Sequence, residues 1–334
     1  MLKPLKIAFI RLSSMGDIIH SASILPSLFS ALSEKYQPIF DWYVDSIFYE
    51  ILEQSPYIHK LIALPIKQSL QERKPKNLLK IYQSLKEESY DYVIDLQGLI
   101  KSALIGKCLT TQHFIGFDYQ SIKEPLASFF YTQKVSIPYE KHILLRNATL
   151  AFSAFNLTIP TLQTLLHPPT FLASNSNLSP LLIEGKKVLL VLETSKPNKT
   201  YPQSSFLELV RLFNIVGIKP LLLSHKQAIK NANKTLEFQT LSHLNLGQIK
   251  AILSQMDLII GGDTGITHLS WAFNRPSITL FGATPAQRFG LNTDKNLSLS
   301  ANPHPNYDKK DYSITLISPQ EIFNQAKNLL GISQ

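Results

Sequence analysis

Cysteine is almost absent: Cys108 stands alone in 334 residues. A lone thiol excludes a disulfide framework, a C-x-x-C redox pair and a multi-thiolate zinc site, and it suits a reducing compartment. Long apolar runs are missing as well. No stretch approaches the roughly 18 uninterrupted apolar residues needed to span a bilayer. The basic-then-apolar N-terminus is closed by Arg11, which leaves too short an apolar run for a secretory signal core, so the cytoplasm is the expected location. There is no internal repeat and no low-complexity tract. The chain also lacks a basic–aromatic RNA-binding run, a zinc finger and an arginine-rich tract. Its arginines are few beside its lysines, which argues against a nucleic-acid partner.

What is present is core material and positive charge. The sequence is 44% hydrophobic and 17% charged, which excludes a disordered or collagen-like chain. At roughly 100–200 residues per domain, the length favours two domains, or one large one. The 33 basic against 24 acidic residues leave a net charge of +9. An excess of that sign points to an anionic partner such as an acidic substrate or an anionic membrane surface.

Short apolar runs alternate with helical patterns. Strands are predicted at Lys6–Leu12, Phe40–Val44, Leu61–Leu64, Tyr92–Asp95, His113–Phe117 and Lys134–Ile137. Helices are predicted at Ile18–Leu32, Asn77–Glu88 and Gly98–Leu109. A second series places strands at Lys187–Leu192, Lys219–Leu223, Thr235–Phe238, Leu258–Ile260 and Ser277–Phe281, with helices at Pro202–Val216 and Pro319–Leu330. Ile159–Pro180 reads as a linker, and Asn292–Ser313 as polar and irregular. Alternating strands and helices imply α/β architecture with parallel sheets. The expected organisation is an N-terminal Rossmann-like domain over residues 1–165 and a second over 166–317, with a ligand in the cleft between them. A final helix within 318–334 has a return onto the N-terminal domain open to it.

Three loops carry candidate chemistry. The turn Ser13-Ser-Met-Gly-Asp17 follows the first strand where a dinucleotide fold would carry G-x-G-x-x-G, so a nicotinamide site is disfavoured. Ser13, Ser14 and Gly16 can still turn their amides towards a ligand. On spacing alone, Asp17 is either a helix cap or a cleft-facing acid. In Gly261-Gly-Asp-Thr-Gly-Ile-Thr-His268 a buried strand ends on two glycines and a helix opens, a placement that favours an anion such as a pyrophosphate. Here a structural helix start and a core histidine remain the alternative. The loop Thr194-Ser-Lys-Pro-Asn-Lys-Thr200 offers hydroxyls and two lysines at a strand end, which suits a phosphate. The basic residues Lys67, Arg73, Lys74, Lys76 and Lys80 read as a solvated face unless they line the cleft.

Five blocks resemble the lipopolysaccharide heptosyltransferases, ADP-heptose glycosyltransferases of family 9 with the two-domain GT-B fold. They are Leu12-Ser-Ser-Met-Gly-Asp-Ile-Ile-His20, Asp41-Trp-Tyr-Val-Asp45, Tyr90–Ala103, Lys123–Tyr131 and Asp263-Thr-Gly-Ile-Thr-His-Leu269, in the family's order. The Gln97-Gly-Leu-Ile-Lys-Ser102 and Glu124-Pro-Leu-Ala-Ser128 segments look like the type I branch. The resemblance implies an inverting transfer of heptose from ADP-heptose to the Kdo sugar of Kdo-lipid A, in lipopolysaccharide inner-core synthesis. The alternative is a type II enzyme or another GT-B nucleotide-sugar transferase with a different core acceptor. By the same resemblance Asp17 is the general base, and Lys199 neutralises the departing diphosphate. Ser14, Gly16, Thr194, Ser195, Asp263, Thr264, Gly265 and His268 join Lys199 in holding the donor. Lys67, Lys101, Lys123, His142 and Arg146 carry acceptor-facing charge. The family's ribose-holding glutamate would follow the strand Pro220–Leu223, where this chain reads Ser224-His-Lys-Gln-Ala-Ile-Lys230 without an acid. No obligatory metal is implied, with Mg²⁺ at most a helper ion. The implied form is a monomer, peripheral on the cytoplasmic face of the inner membrane of a Gram-negative bacterium.

Overall fold

The apolar runs become the strands of two six-stranded parallel sheets. A computed structural model describes residues 2–71, 81–83, 85–174, 185–225 and 235–332. The chain divides into two units, Met1–Ala173 and Ser174–Gln334.

In the first unit the strands are β1 (Lys3–Ile10), β2 (Tyr36–Asp45), β3 (Lys60–Leu64), β4 (Tyr92–Asp95), β5 (His113–Phe117) and β6 (Gln133–Val135). Their spatial order is β3-β2-β1-β4-β5-β6. Ile7, Ala8, Phe9 and Ile10 are wholly buried, as a strand covered on both faces requires. The helices are α1 (Met15–Ala22), α2 (Leu25–Ser33), α3 (Ile66–Gln71), α4 (Ile100–Cys108) and α5 (Ile143–Ser153). The helix expected over Ile18–Leu32 is thus two. Pro26 in the first turn of α2 has no N–H to continue the ladder from α1. Of the helix expected at Asn77–Glu88, residues 77–80 and 84 lie outside the described residues and 81–83 and 85–86 are helical; Arg73, Lys74, Lys76 and Lys80 also lie outside.

The second unit repeats the plan with β7 (Val188–Val191), β8 (Leu221–Leu223), β9 (Gln239–Leu241), β10 (Leu258–Gly262), β11 (Ser277–Phe281) and β12 (Asn296–Ser300), ordered β12-β11-β10-β7-β8-β9. Its helices are α6 (Gln203–Ile215), α7 (Leu246–Leu253), α8 (Gly265–Ala272) and α9 (Pro319–Leu330). Renumbered within the unit, the two orders are the same. In each sheet the order of strands reverses between the unit's first and fourth strands, and ligands of such sheets bind at the carboxyl ends flanking that switch point.

The second unit and the boundary also depart from the sequence expectations. β12 lies in the segment read as irregular. It pairs in parallel with β11 from Ser277–Asn296 to Phe281–Ser300, and its inward residues include a buried Asn296 whose amide donates to Ser277 Oγ at 2.9 Å. The last helix belongs to the second unit: Ile322, Phe323, Ala326 and Leu330 enter that unit's core, with Phe323 edge-on to Phe213 of α6 at 5.3 Å. Its apolar stripe packs on α6. The domain boundary falls after Ala173 instead of at 165. Phe171 and Leu172 are buried, and Ser55 Oγ donates to the Phe171 carbonyl at 2.8 Å, so the start of the supposed linker is part of the first unit.

Candidate functional site

In the first unit, β1 and β4 flank the switch point, and their carboxyl ends carry residues 11–17 and 95–99. Arg11 follows β1, with Leu12 between it and the turn. It is buried, donates through Nη1 to the Leu96 carbonyl, and reaches Asp17 Oδ1 with Nη2 at 3.0 Å. The other Asp17 oxygen accepts from Ser14 Oγ at 2.8 Å and from Ser14 N–H at 3.3 Å. The Ser13–Ser14 peptide is cis. Leu12 N–H donates to Gln97 Oε1 at 2.7 Å, and Lys101 Nζ reaches Ser13 Oγ at 3.4 Å. The turn is therefore held from three sides: the strand, the β4 loop and α4.

These contacts set the state of Asp17. Burial pushes its carboxyl up, but the Arg11 guanidinium, the Ser14 hydroxyl and His20 together bring it below the ordinary carboxylate range. About a third of the side chain stays accessible. The group is a fixed, ionised carboxylate with lone pairs to spare. Ser14 is the N-cap of α1, and Asp17 is the third helical residue, whose carboxylate accepts from the Ser14 N–H as the return half of a capping box while part of it stays accessible. Arg11 was not singled out by sequence reasoning for this task. Its signal was a basic residue closing an apolar strand just before the Ser-Ser-Met-Gly-Asp turn. Replacing Arg11 with methionine removes the neighbouring cation, so the Asp17 pKa rises. The acid limb of kcat/KM against pH should then move to higher pH, with Arg11→Lys moving it less. An acid limb unchanged in both variants would show that Arg11 does not set the charge state of Asp17.

The β4 end is braced by Asp95. Its buried carboxylate accepts from Gln97 N–H at 2.9 Å, Gly98 N–H at 3.1 Å, Ser102 Oγ at 2.8 Å and Tyr131 OH at 2.8 Å. Burial pushes this carboxyl up, opposed by those four donors. Gly98 sits at φ +67°, a left-handed value that favours glycine. The Asp95-Leu-Gln-Gly block thus shapes the loop that supports Leu12 and Arg11.

The acceptor-facing residues implied by the resemblance separate into two groups. Lys67, Lys101 and Lys123 are exposed, and Lys101 joins the Asp17 turn through Ser13. Arg146 is turned inward. It donates to the Ile137, Pro138 and Ser121 carbonyls and lies over the Phe117 and Tyr139 rings. His142 is buried at the N-terminus of α5, with Nδ1 accepting from Leu144 N–H at 3.3 Å. Arg146 is thus bound to three backbone carbonyls, and His142 holds a backbone amide at the start of its helix.

In the second unit, β7 and β10 flank the switch point. After β7, Pro197–Lys199 forms a 3₁₀ turn that aims Lys199 Nζ at Asp263 Oδ2, in direct ion-pair contact. Asp263 Oδ1 meets His268 Nε2 at 3.0 Å. Burial pushes the Asp263 carboxyl up, but the His268 and Lys199 contacts outweigh it and hold the group well below the usual range. Thr264 caps α8, leaving the first amides of that helix without helical partners. Thr194 Oγ1 is 3.0 Å from Thr200 Oγ1 and donates to the Lys196 carbonyl, so it closes its own loop, whereas Ser195 is exposed. Lysine and histidine thus converge on the Asp263 carboxylate beside a helix N-terminus, a combination of groups chemically suited to holding an anion. The two glycines serve packing more than ligand approach: a Cβ on Gly262 would lie 2.3 Å from the Lys199 carbonyl, and one on Gly261 2.6 Å from Thr267 Oγ1. At the same edge Glu193 accepts from Ser224 Oγ at 3.2 Å and His225 N–H at 2.9 Å. An acid therefore stands at the end of β8 after all, supplied by the neighbouring strand. Among the described residues, no three His, Cys, Asp or Glu side chains gather as a metal-ligand set.

The family model described as glycosyltransferase family 9 (heptosyltransferase) matches residues 78–315. The chain belongs to that family. It is 33% identical to lipopolysaccharide heptosyltransferase 1 of Campylobacter coli, over 98% of this chain and 99% of that one. Among solved structures, it matches the Escherichia coli heptosyltransferase WaaC with ADP at a TM-score of 0.79 and 22% identity, over 97% of this chain and all of that one. The same enzyme with ADP-2-deoxy-2-fluoro heptose matches at 0.75 over 97% and 99%. Those likenesses establish the fold as GT-B, and family membership makes the protein a glycosyltransferase that acts in heptosyl transfer during lipopolysaccharide core synthesis. None of the described helices is long and apolar enough to cross a membrane.

Proposed function

We propose that the protein moves heptose from ADP-heptose to the Kdo residue of Kdo-lipid A, with inversion at the anomeric carbon. The observation that carries this reading is the division of labour between the two switch points. One holds an ionised, partly accessible carboxylate on a braced turn; the other holds a cation, a histidine and a helix N-terminus in one anion cradle. An acceptor hydroxyl oxygen bonds to the anomeric carbon as the bond from that carbon to the diphosphate breaks. The proton passes to Asp17, and ADP leaves towards Lys199 and the Thr264–Gly265 amides. One displacement needs no covalent intermediate. A low-pKa carboxylate suffices, because the hydroxyl becomes acidic only as its oxygen bonds to carbon.

Asp263 orients Lys199 and His268 while the cradle is empty of diphosphate. Glu193 takes the ribose hydroxyls in place of the acid missing after β8. Ser14 and Gly16 line the base turn, and Thr194 and Ser195 the phosphate loop. Lys67, Lys101 and Lys123 meet the carboxylate and phosphate groups of the acceptor. Lys199 and the helix terminus supply the positive field that Mg²⁺ supplies elsewhere, so we expect no obligatory metal. The protein works as a monomer at the cytoplasmic face of the inner membrane, where an acceptor of this class is made.

Two acceptors test this reading: Kdo-lipid A, and the same molecule already carrying one heptose. Transfer to the first alone, unchanged by EDTA, is expected. Transfer only to the second would make the chain a type II enzyme, and loss in EDTA would overturn metal independence.

A further inference from the structure

The first unit carries large apolar side chains on its surface that no packing explains. The segment Pro125–Phe130 is a 3₁₀ helix, in which side chains three apart lie on one face. Leu126 and Phe129 are that pair, and they are 60% and 69% exposed, while Ala127 and Ser128 between them are buried. Tyr119, itself 56% exposed, sets its ring edge-on to Phe129 at 6.4 Å. This 3₁₀ helix packs on α4, whose outward residues are Lys101, Leu104 and Lys107 at three-residue spacing, with Leu104 48% exposed. Lys134 Nζ lies over the Phe129 ring at 5.7 Å, and Lys123 starts the turn into the 3₁₀ helix.

The surrounding charge says what the surface meets. Four lysines, at 101, 107, 123 and 134, rim the apolar side chains. The acids at residues 118 and 124, next to Tyr119 and Lys123 in the chain, are already engaged: Glu124 Oε2 accepts from Ile100 N–H at 2.8 Å, and Asp118 Oδ1 accepts from Ser121. A second copy pairing through this face would bring lysines against lysines. An anionic bilayer presents the complement, acyl chains for Leu126 and Phe129 and phosphates for the lysine heads, with Tyr119 at the headgroup level.

We infer that Leu104, Tyr119, Leu126 and Phe129, with their lysine rim, form the membrane-docking face of this enzyme. This rests on the proposed peripheral membrane location and names the surface responsible for it. Continuity with the base turn supports the assignment. Glu124 holds the first amide of α4, and Lys101 on the next residue touches Ser13, so the docking face and the Asp17 turn share one rigid support. An acceptor anchored in the bilayer would be delivered beside the base.

The test uses the full-length protein and vesicles of phosphatidylethanolamine with a quarter phosphatidylglycerol, free of lipid A, in a sedimentation assay. The variant is Leu126→Ser with Phe129→Ser. Neither residue touches the proposed catalytic groups, so turnover on a water-soluble, de-O-acylated acceptor should be unchanged and certifies folding. The wild type should bind, and the variant should lose about tenfold or more in partition coefficient, the scale set by burying two such side chains. Wild-type binding should also weaken in vesicles lacking phosphatidylglycerol. Equal binding by both proteins would overturn the assignment of this face while leaving membrane association standing. Absence of wild-type binding would overturn the peripheral location itself. A wild-type dimer that the variant dissolves, with no vesicle binding, would assign the face to a second copy.

Discussion

Asp17→Asn is expected to lower kcat by about 10²–10⁴-fold, the usual contribution of a positioned general base. The substitution keeps the shape of the side chain and an oxygen that can still accept from Ser14. It removes the charge opposite Arg11 and the basic lone pair that would take the acceptor proton. Because the anion cradle lies on the other unit, ADP affinity should stay within a few-fold of the wild type. Titration calorimetry with ADP and initial rates at saturating donor separate the two quantities. A variant that retains turnover removes Asp17 as the base, and one that loses ADP binding equally would make the Asp17 turn part of the donor site.

Lys199→Ala is expected to have the opposite pattern. On the proposed assignment the diphosphate loses the Lys199 charge, so donor binding and turnover fall together, with kcat down by about 10²–10³-fold, as for loss of a single preorganised donor. Asp263 keeps His268 as its partner but loses its ion pair, so the thermal midpoint should fall as well. Lys199→Arg keeps the charge and should recover stability more fully than turnover, because a guanidinium fork does not match the geometry of a point-like ammonium. Unchanged donor affinity in Lys199→Ala would show that the loop after β7 is not the phosphate site.

The sequence revealed the sheets better than it revealed which polar groups are free. Periodicity found the buried strands because their residues are apolar on both faces, as in β1 and β10. It missed β12, an edge strand with polar residues at alternate positions and a buried asparagine. It misplaced β9, where Gln239–Leu241 has one apolar residue. Motif spacing located both switch points, but it could not tell an accessible cation from a committed one. Arg146 and Lys101 read alike in the chain, yet one is bound to three carbonyls and the other stands in solvent beside Ser13. The same blindness applied to Arg11, whose importance comes from Asp17 folding back across a turn. The glycines of β10 were read as part of a turn that favours an anion. Their space is taken by the Lys199 carbonyl and Thr267, so they act by letting the phosphate loop press on the strand.

The missing ribose acid shows a different limit. A search along the chain looks for an acid after β8, whereas the fold supplies one laterally. Glu193, at the end of β7, is drawn across by Ser224 and His225. Neighbouring strand ends in a parallel sheet are interchangeable sources of a side chain, and spacing in sequence does not show it.

The most direct measurement is the mass of the product after incubating ADP-heptose and Kdo-lipid A with the protein in EDTA, beside Asp17→Asn at matched donor occupancy. A gain of one heptose with the wild type, absent on the same timescale with the variant, is the expected result. An unmodified acceptor with donor bound, or a variant that adds heptose at the wild-type rate, would contradict heptosyl transfer to Kdo by an Asp17 base.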